Sequence, residues 1–485
     1  MRSPGRPGLL GPRPDRRPRR RAARLTAAGL VLATLAGCGD APPRTATSGA
    51  RTTGTAGATR SAGATAPTEA PGATTSATTS ATTSTTTTAA PLGVITPERW
   101  LSARQDAVRA LVERRLEAIS RGDLTAWLAP VRGQEARRHQ LAIGQRLLRM
   151  RVGDLRLVGV RETTPPVPAA AGTDVGWDVR ACFTYRLIGF DQRARTFDLD
   201  LTVKADPARP GSAVVTASSP SDRPQPWDLD GLVVRRSPTV LVLAVGSPAT
   251  VDEVVRRAAT AAAHVSAVWG RVPPAVWVAP ATDEDAGALL GRDAAGLDGV
   301  AAATDGPLTP GETAGADRVV IVPGPWASLR PAGRDVVMTH ELTHVAVRAS
   351  TTRAVPLWLS EGFAELVAYR SVDLPERTVV ARALDTVRAS GLPRSLPADA
   401  DFDPSTGTLP TAYGLALLAL RTLDDAYGTA AVVRFYAAAA GGLAEPTARL
   451  GDAEATADDA LADTTGTSRA SLVRDWRDRM RTLLR

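Results

Sequence analysis

Two histidines four residues apart, the first followed directly by a glutamate, constrain this chain more than any other feature. They lie in Met338-Thr-His340-Glu341-Leu-Thr-His344. In a helix, residues four apart share one face, one turn above the other. His340 and His344 would therefore point the same way, close enough to hold one metal ion. Glu341 would stand beside them, within reach of a water at that ion. The chain has four His in all, and the other two, His139 and His264, lie far from this stretch. His139 sits among Arg137, Arg138 and Gln140, as on a solvated helix face, and His264 among Ala and Val, as in a core.

Seventeen residues after His344 comes Glu361, in Pro356-Leu-Trp358-Leu-Ser-Glu361-Gly-Phe363. Pro near the start and apolar Trp358, Leu359, Phe363, Leu366 and Val367 predict a second helix here. Packed beside the first, it would bring Glu361 to the two His. Three protein ligands leave a position open for chemistry, whereas four would close the site.

The elements around these helices follow from patterning. Thr96-Pro97-Glu98 predicts a helix start, and Val108, Leu111, Val112, Leu116 and Ile119 continue it at helical spacing. A second helix is expected over Gln134–Arg149. Four strands are expected at Leu155–Val160, Trp177–Leu187, Phe197–Val203 and Val214–Ser218. Phe197-Asp-Leu199-Asp-Leu201-Thr-Val203 alternates as a half-buried antiparallel strand does. In Trp177–Leu187 the apolar residues fall on odd positions, so Cys182 shares the other face with Arg180 and Thr184 and reads as a passive strand residue. Pro224-Gln-Pro226-Trp227-Asp228 marks a joint. Beyond it come strand Thr239–Val245, helix Thr250–Val268 (capped by Ser247 or Thr250), and strands Ala275–Ala279, Val300–Thr304 and Arg318–Val322. The metal-binding helix should run from about residue 330 to Ala349, and Ala-, Leu- and Arg-rich helices should fill Val379–Arg485. The expected class is α+β: an α+β domain over 94–228, then a small sheet, the active helix and a helical lobe over 236–485.

Net charge narrows the partners. The formal charge of +8 is carried by residues 1–37, which hold nine Arg and one Asp; the rest of the chain has 49 basic and 49 acidic residues. The chain therefore offers no electrostatic case for nucleic-acid binding. The Arg-rich start precedes the apolar run Leu25–Leu35, which is too short to span a bilayer and fits a signal peptide over 1–37. Leu35-Ala-Gly-Cys38 resembles a bacterial lipobox, which implies lipidation of Cys38 and anchoring on the extracytoplasmic face of the cell membrane; the Arg pairs leave twin-arginine export open. Lys204 is the one Lys among 58 basic residues, the bias of a GC-rich, actinobacterial genome. Residues 38–93, rich in Thr, Ala, Ser and Pro, lack the apolar side chains needed to offset the entropy of ordering and read as a disordered tether.

His340-Glu-Leu-Thr-His344 together with Trp358-Leu-Ser-Glu361-Gly-Phe-Ala364 resembles the gluzincin zinc peptidases, in the manner of the aminopeptidase-N family and, closer still, of MA-like metallopeptidase domains of bacterial lipoproteins. The resemblance covers about residues 240–485 and implies a zincin-type fold, one Zn2+ ion held by His340, His344 and Glu361, Glu341 as general base, and a peptide or protein substrate. It also implies that Glu365 orients a ligand His through its second ring nitrogen, and that Tyr413 stabilises the oxyanion. Tyr369 and Tyr427 are rivals for that role, since Gly414 directly follows Tyr413 where the family has a Tyr-x-x-Gly segment. In this family the strand before the active helix is the sheet edge that pairs with substrate, and Arg318–Val322 is expected there. That segment lacks the family's amine-binding Gly-x-Met-x-Asn, which favours an endopeptidase or a peptidase of unassigned specificity. The 94–228 region resembles the cone-shaped nuclear-transport-factor-like fold, by its long first helix, the break at Ile119–Leu124 and the strands that follow. A second reading keeps a structural or vestigial zinc site in a non-hydrolytic envelope lipoprotein whose first domain binds a partner.

Overall fold

The computed structural model describes residues 97–485 except 165–174, 207–208, 310 and 442–451. The expected signal peptide, tether, Cys38 and the Thr96 cap lie outside the described residues. The chain is mixed α+β. It opens with α1 (Pro97–Ser120), α2 (Leu124–Leu128) and α3 (Gln134–Met150). β1 (Val152–Thr164), β2 (Val175–Leu187), β3 (Arg195–Asp206) and β4 (Arg209–Pro220) then pair in chain order as an antiparallel meander. Along β2 the odd positions from Val175 to Leu187 are buried, while Cys182, opposite Asp198, is half-buried on the other face. Burial and Asp198 raise its thiol to about 11, so Cys182 stays protonated at neutral pH.

The second sheet begins earlier than position 236. β5 (Leu232–Arg236) pairs antiparallel with β6 (Val240–Val245), so residues just after the Pro224–Asp228 joint form an edge strand. α4 (Pro248–Trp269), capped by Ser247, leads to β7 (Ala275–Ala279), parallel to β6. α5 (Asp283–Leu290), β8 (Ala302–Asp305) and β9 (Arg318–Ile321) complete a five-stranded sheet in the order β5-β6-β7-β9-β8. This corrects the expectation for Arg318–Val322. β9 is interior, between β7 and an antiparallel β8, and the edge toward the active helix is β8. The short β8 folds back along β9 and takes the edge from it; β8 carries no Gly-x-Met-x-Asn either.

Both faces of this sheet are buried, by different partners. Val240, Val242, Ala275, Trp277, Ala302 and Val319 join one core with the helices that follow. Their neighbours Leu241, Leu243, Val276, Val278, Ala303 and Val320 join another, continuous with α1, α3 and the inner face of the four-stranded sheet. Strands covered on both sides read as unbroken apolar runs, which is why β6 and β7 show no alternation.

After α6 (Pro323–Ser328), α7 (Pro331–Arg348) starts with Pro at its first turn and is buried at every residue from Val336 to Val347. α8 (Leu357–Tyr369) packs on α7 and, through Gly362, on a later helix. A Cβ at Gly362 would stand 2.8 Å from the Ala416 carbonyl oxygen, so only glycine lets the two backbones come this close. α9 (Glu376–Val379), α10 (Ala381–Ser390), α11 (Leu409–Tyr427), α12 (Thr429–Ala439), α13 (Ala453–Thr465) and α14 (Arg469–Leu484) form the helical lobe. Among the described residues no helix is long and apolar enough to cross a membrane.

Candidate metal centre

The i,i+4 spacing on α7 turns both imidazoles toward α8, and the packing of α8 on α7 delivers Glu361 between them. The Nε2 atoms of His340 and His344 are 3.0 Å apart, and Glu361 Oε2 lies 3.2 Å from the first and 3.4 Å from the second. Ligands bound at zinc distances in a tetrahedral arrangement stand about 3.3 Å from one another. The triangle thus has the dimensions of one face of such a site. All three residues are buried, and together they could hold a metal ion.

The donor set calls for a positive charge. Two imidazole nitrogens and a carboxylate oxygen converge, all buried. Burial works against the His340 cation, yet Glu361 and Glu365 outweigh it and raise that imidazole to about 10. Burial opposes the Glu361 carboxylate too, but the two His hold it well below the usual range. Burial lowers His344, against the pull of Glu361. A proton on His340 or a metal ion between the three ligands answers the same demand.

Glu365, one turn beyond Glu361, places Oε1 3.0 Å from His340 Nδ1, at ion-pair distance though not aligned as a hydrogen bond. It stands where a carboxylate would fix the ring and leave Nε2 to the metal. Glu341 is fully buried, and burial raises its carboxyl to about 8 against the pull of His340 and Thr304. Its Oε2 accepts a hydrogen bond from the Thr304 hydroxyl at 2.6 Å, and its Oε1 has no partner. An unpartnered buried carboxylate oxygen beside three converging ligands is placed to take a proton from a water between them.

Tyr413, on α11, lies within the centre. Its ring meets His340 edge-on at 5.9 Å and Phe402 at 5.7 Å. Burial and the surrounding Glu361, Glu341 and Glu365 carboxylates push its hydroxyl well above the ordinary tyrosine range, and that hydroxyl is hydrogen-bonded with Glu361. Of its rivals, Tyr427 is 43% exposed at the end of α11, away from the ligands. Tyr369 senses Glu365 and not the ligand triangle. His139 is exposed and His264 half-buried on α4, neither of them near the site.

Sequence reasoning missed two residues here. Tyr436, on α12, packs its ring against Phe363, tilted, with centroids 4.7 Å apart, and bonds Ser360 beside Glu361. Thr304 binds Glu341 from β8. Its one sequence signal is a hydroxyl at the end of the otherwise apolar Val300–Ala303 run. Comparison of the chain with known protein families, with curated proteins and with solved structures found no match.

Proposed function

We propose that this chain is a zinc-dependent peptidase, held on the extracytoplasmic face of the cell membrane by a lipid on Cys38. The observation that carries the reading is the partnerless Glu341 Oε1 beside a three-ligand triangle of tetrahedral dimensions. A purely structural site needs no such base. Two His nitrogens and one carboxylate suit zinc, and when bound it supplies Lewis acidity that acidifies water and polarises a carbonyl. Glu341 Oε1 takes the proton of the attacking water and later passes it to the leaving amine. Glu365 keeps the His340 ring turned toward the ligand triangle. The Tyr413 hydroxyl, protonated across the working pH range, stands to donate to the developing oxyanion.

A second reading, a non-hydrolytic lipoprotein with a structural metal, is favoured by one observation: every ligand is almost inaccessible, at 2% exposure or less. Substrate reaches the ligands only when covering side chains move; Phe402 against Tyr413 is one of them. The variant Glu341→Gln separates the readings. Hydrolysis of a broad peptide library should fall about 100- to 10,000-fold with zinc content unchanged. An unchanged rate would sink the mechanism, and zinc-loaded wild type that cleaves nothing would favour the second reading.

A further inference from the structure

β8 is four residues long and paired on one side only, yet it carries the one side chain that holds Glu341. Successive residues of a strand point to opposite faces. Thr304 faces α7, where its hydroxyl lies 2.6 Å from Glu341 Oε2 and 3.3 Å from the Glu341 carbonyl oxygen. Asp305 faces the first domain, where its carboxylate accepts a hydrogen bond from Arg195 at 2.6 Å. Arg195 opens β3 and also donates to the Asp305 and Ala316 carbonyl oxygens. One residue further along, Gly306 lies so close to Asp317 that a Cβ would stand 1.9 Å from its Oδ1. Arg348, at the end of α7, ties the Gly306 carbonyl and Asp317 together at 3.1 and 3.0 Å.

The neighbouring strand is held from the same side. Arg318 of β9, opposite Asp305 in the sheet, makes a two-pronged pair with Asp191 at 2.7 and 2.6 Å, and the amides of Gln192 and Arg193 donate to the Gly315 carbonyl oxygen. Asp191 lies within the β2–β3 connection and Arg195 at its end, so one hairpin of the first domain grips both strands next to the metal centre. A slip of β8 by one residue would exchange its two faces, withdrawing the Thr304 hydroxyl and turning the Asp305 carboxylate toward Glu341. The grip forbids that slip.

We propose that Thr304 is a positioning residue for Glu341, fixing which carboxylate oxygen acts as base, and that the first domain sets it in place through Arg195 and Asp305. This rests on the hydrolytic reading above and gives the first domain a part in it. With Oε2 engaged in a short hydroxyl–carboxylate bond, Oε1 is the oxygen left for the water. Misplacing a catalytic group by an ångström lowers turnover about 100-fold.

The test uses the full chain loaded with zinc. Thr304→Val should lower kcat about 10- to 100-fold with KM and zinc affinity unchanged within about threefold, and Thr304→Ser should restore kcat to within about threefold. The readout independent of turnover is structural: crystals of the Thr304→Val protein should show the Glu341 carboxylate turned from its wild-type position. Arg195→Met should speed hydrogen exchange of the 302–305 amides at least about tenfold while zinc stays bound. Should that variant fail to fold, Arg195→Met combined with Asp305→Leu removes both charges and carries the same exchange measurement. Thr304→Val with wild-type kcat and an unmoved Glu341 would overturn the positioning role, as would loss of zinc in step with activity. Unchanged exchange in the Arg195 variants would overturn the role of the first domain. Wild type that cleaves nothing would remove the hydrolytic reading alone, since the Glu341 position and the exchange rates are still measured.

Discussion

Two buried charged clusters lie on opposite faces of the five-stranded sheet, and they are built on opposite principles. Toward the first domain, Arg318 faces Asp191 and Arg195 faces Asp305, each cation matched to a carboxylate. Burial works against the Arg195 and Asp305 charges, yet their attraction wins: Arg195 is held above its ordinary value and Asp305 below. Toward α7, two imidazoles and a carboxylate converge where they could hold a metal ion, and Glu341 keeps one oxygen without a partner. In the first cluster the charges are paired within the protein. The second could hold a metal ion, and the proposed function rests on it.

The contrast can be broken at the metal side first, where the largest effect is expected. His344→Ala should abolish zinc binding and hydrolysis together. Added zinc should then no longer raise its unfolding temperature, as it should for wild type, because a ligand that binds only the folded state stabilises it. On the other face, Arg318→Ala leaves Asp191 buried and unpaired, which should destabilise the protein by about 3–5 kcal/mol in denaturant unfolding. Replacing both partners, by Arg318→Met with Asp191→Leu, should come close to neutral; a large loss there would mean that the cluster does more than compensate itself. Tyr413→Phe probes the boundary of the metal-side cluster. It removes one hydroxyl and no ligand, so kcat should fall about 100-fold with zinc retained.

The smallest effect lies in the first domain, at a carboxylate with no cation bonded to it. Burial raises Asp228 to about 6, although its Oδ2 accepts the Gln225 amide at 2.7 Å. Its folded value is above its unfolded one, so the folded state binds this proton more tightly. The stabilisation is full below the unfolded value near 4 and is lost as pH rises through about 6. Asp228→Asn keeps the acceptor and removes the charge. It should raise stability at pH 7 by about 1–2 kcal/mol and flatten the stability profile between about pH 4 and 6. A profile as steep as that of wild type would exclude Asp228 as its source.

The strands differ in how far they could be read. β3 alternates because one of its faces meets polar surroundings, and its middle was legible at Phe197–Val203, within the observed Arg195–Asp206. β6, β7 and β9 are covered on both sides, so their sequences carry no face and no neighbour order. The place of β9 at the sheet edge was therefore misread: strand order depends on how β8 returns to pair, and its four residues do not encode that. At Pro224–Asp228 the packing is continuous, because Trp227 and, just beyond it, Leu232 of β5 join a core shared by both sheets.

By itself the sequence determined the parts of the centre that local periodicity controls. His340 and His344 share a face because a helix repeats every 3.6 residues, and Glu361 and Glu365 share one on the next helix for the same reason. Only the tertiary structure decided what surrounds them. The Thr304 hydroxyl reaches Glu341 across 37 residues of chain, and Arg195 reaches Asp305 across 110. Contacts at such separation are set by sheet order and by the docking of one domain on another, through long-range packing energy that no short stretch of sequence contains.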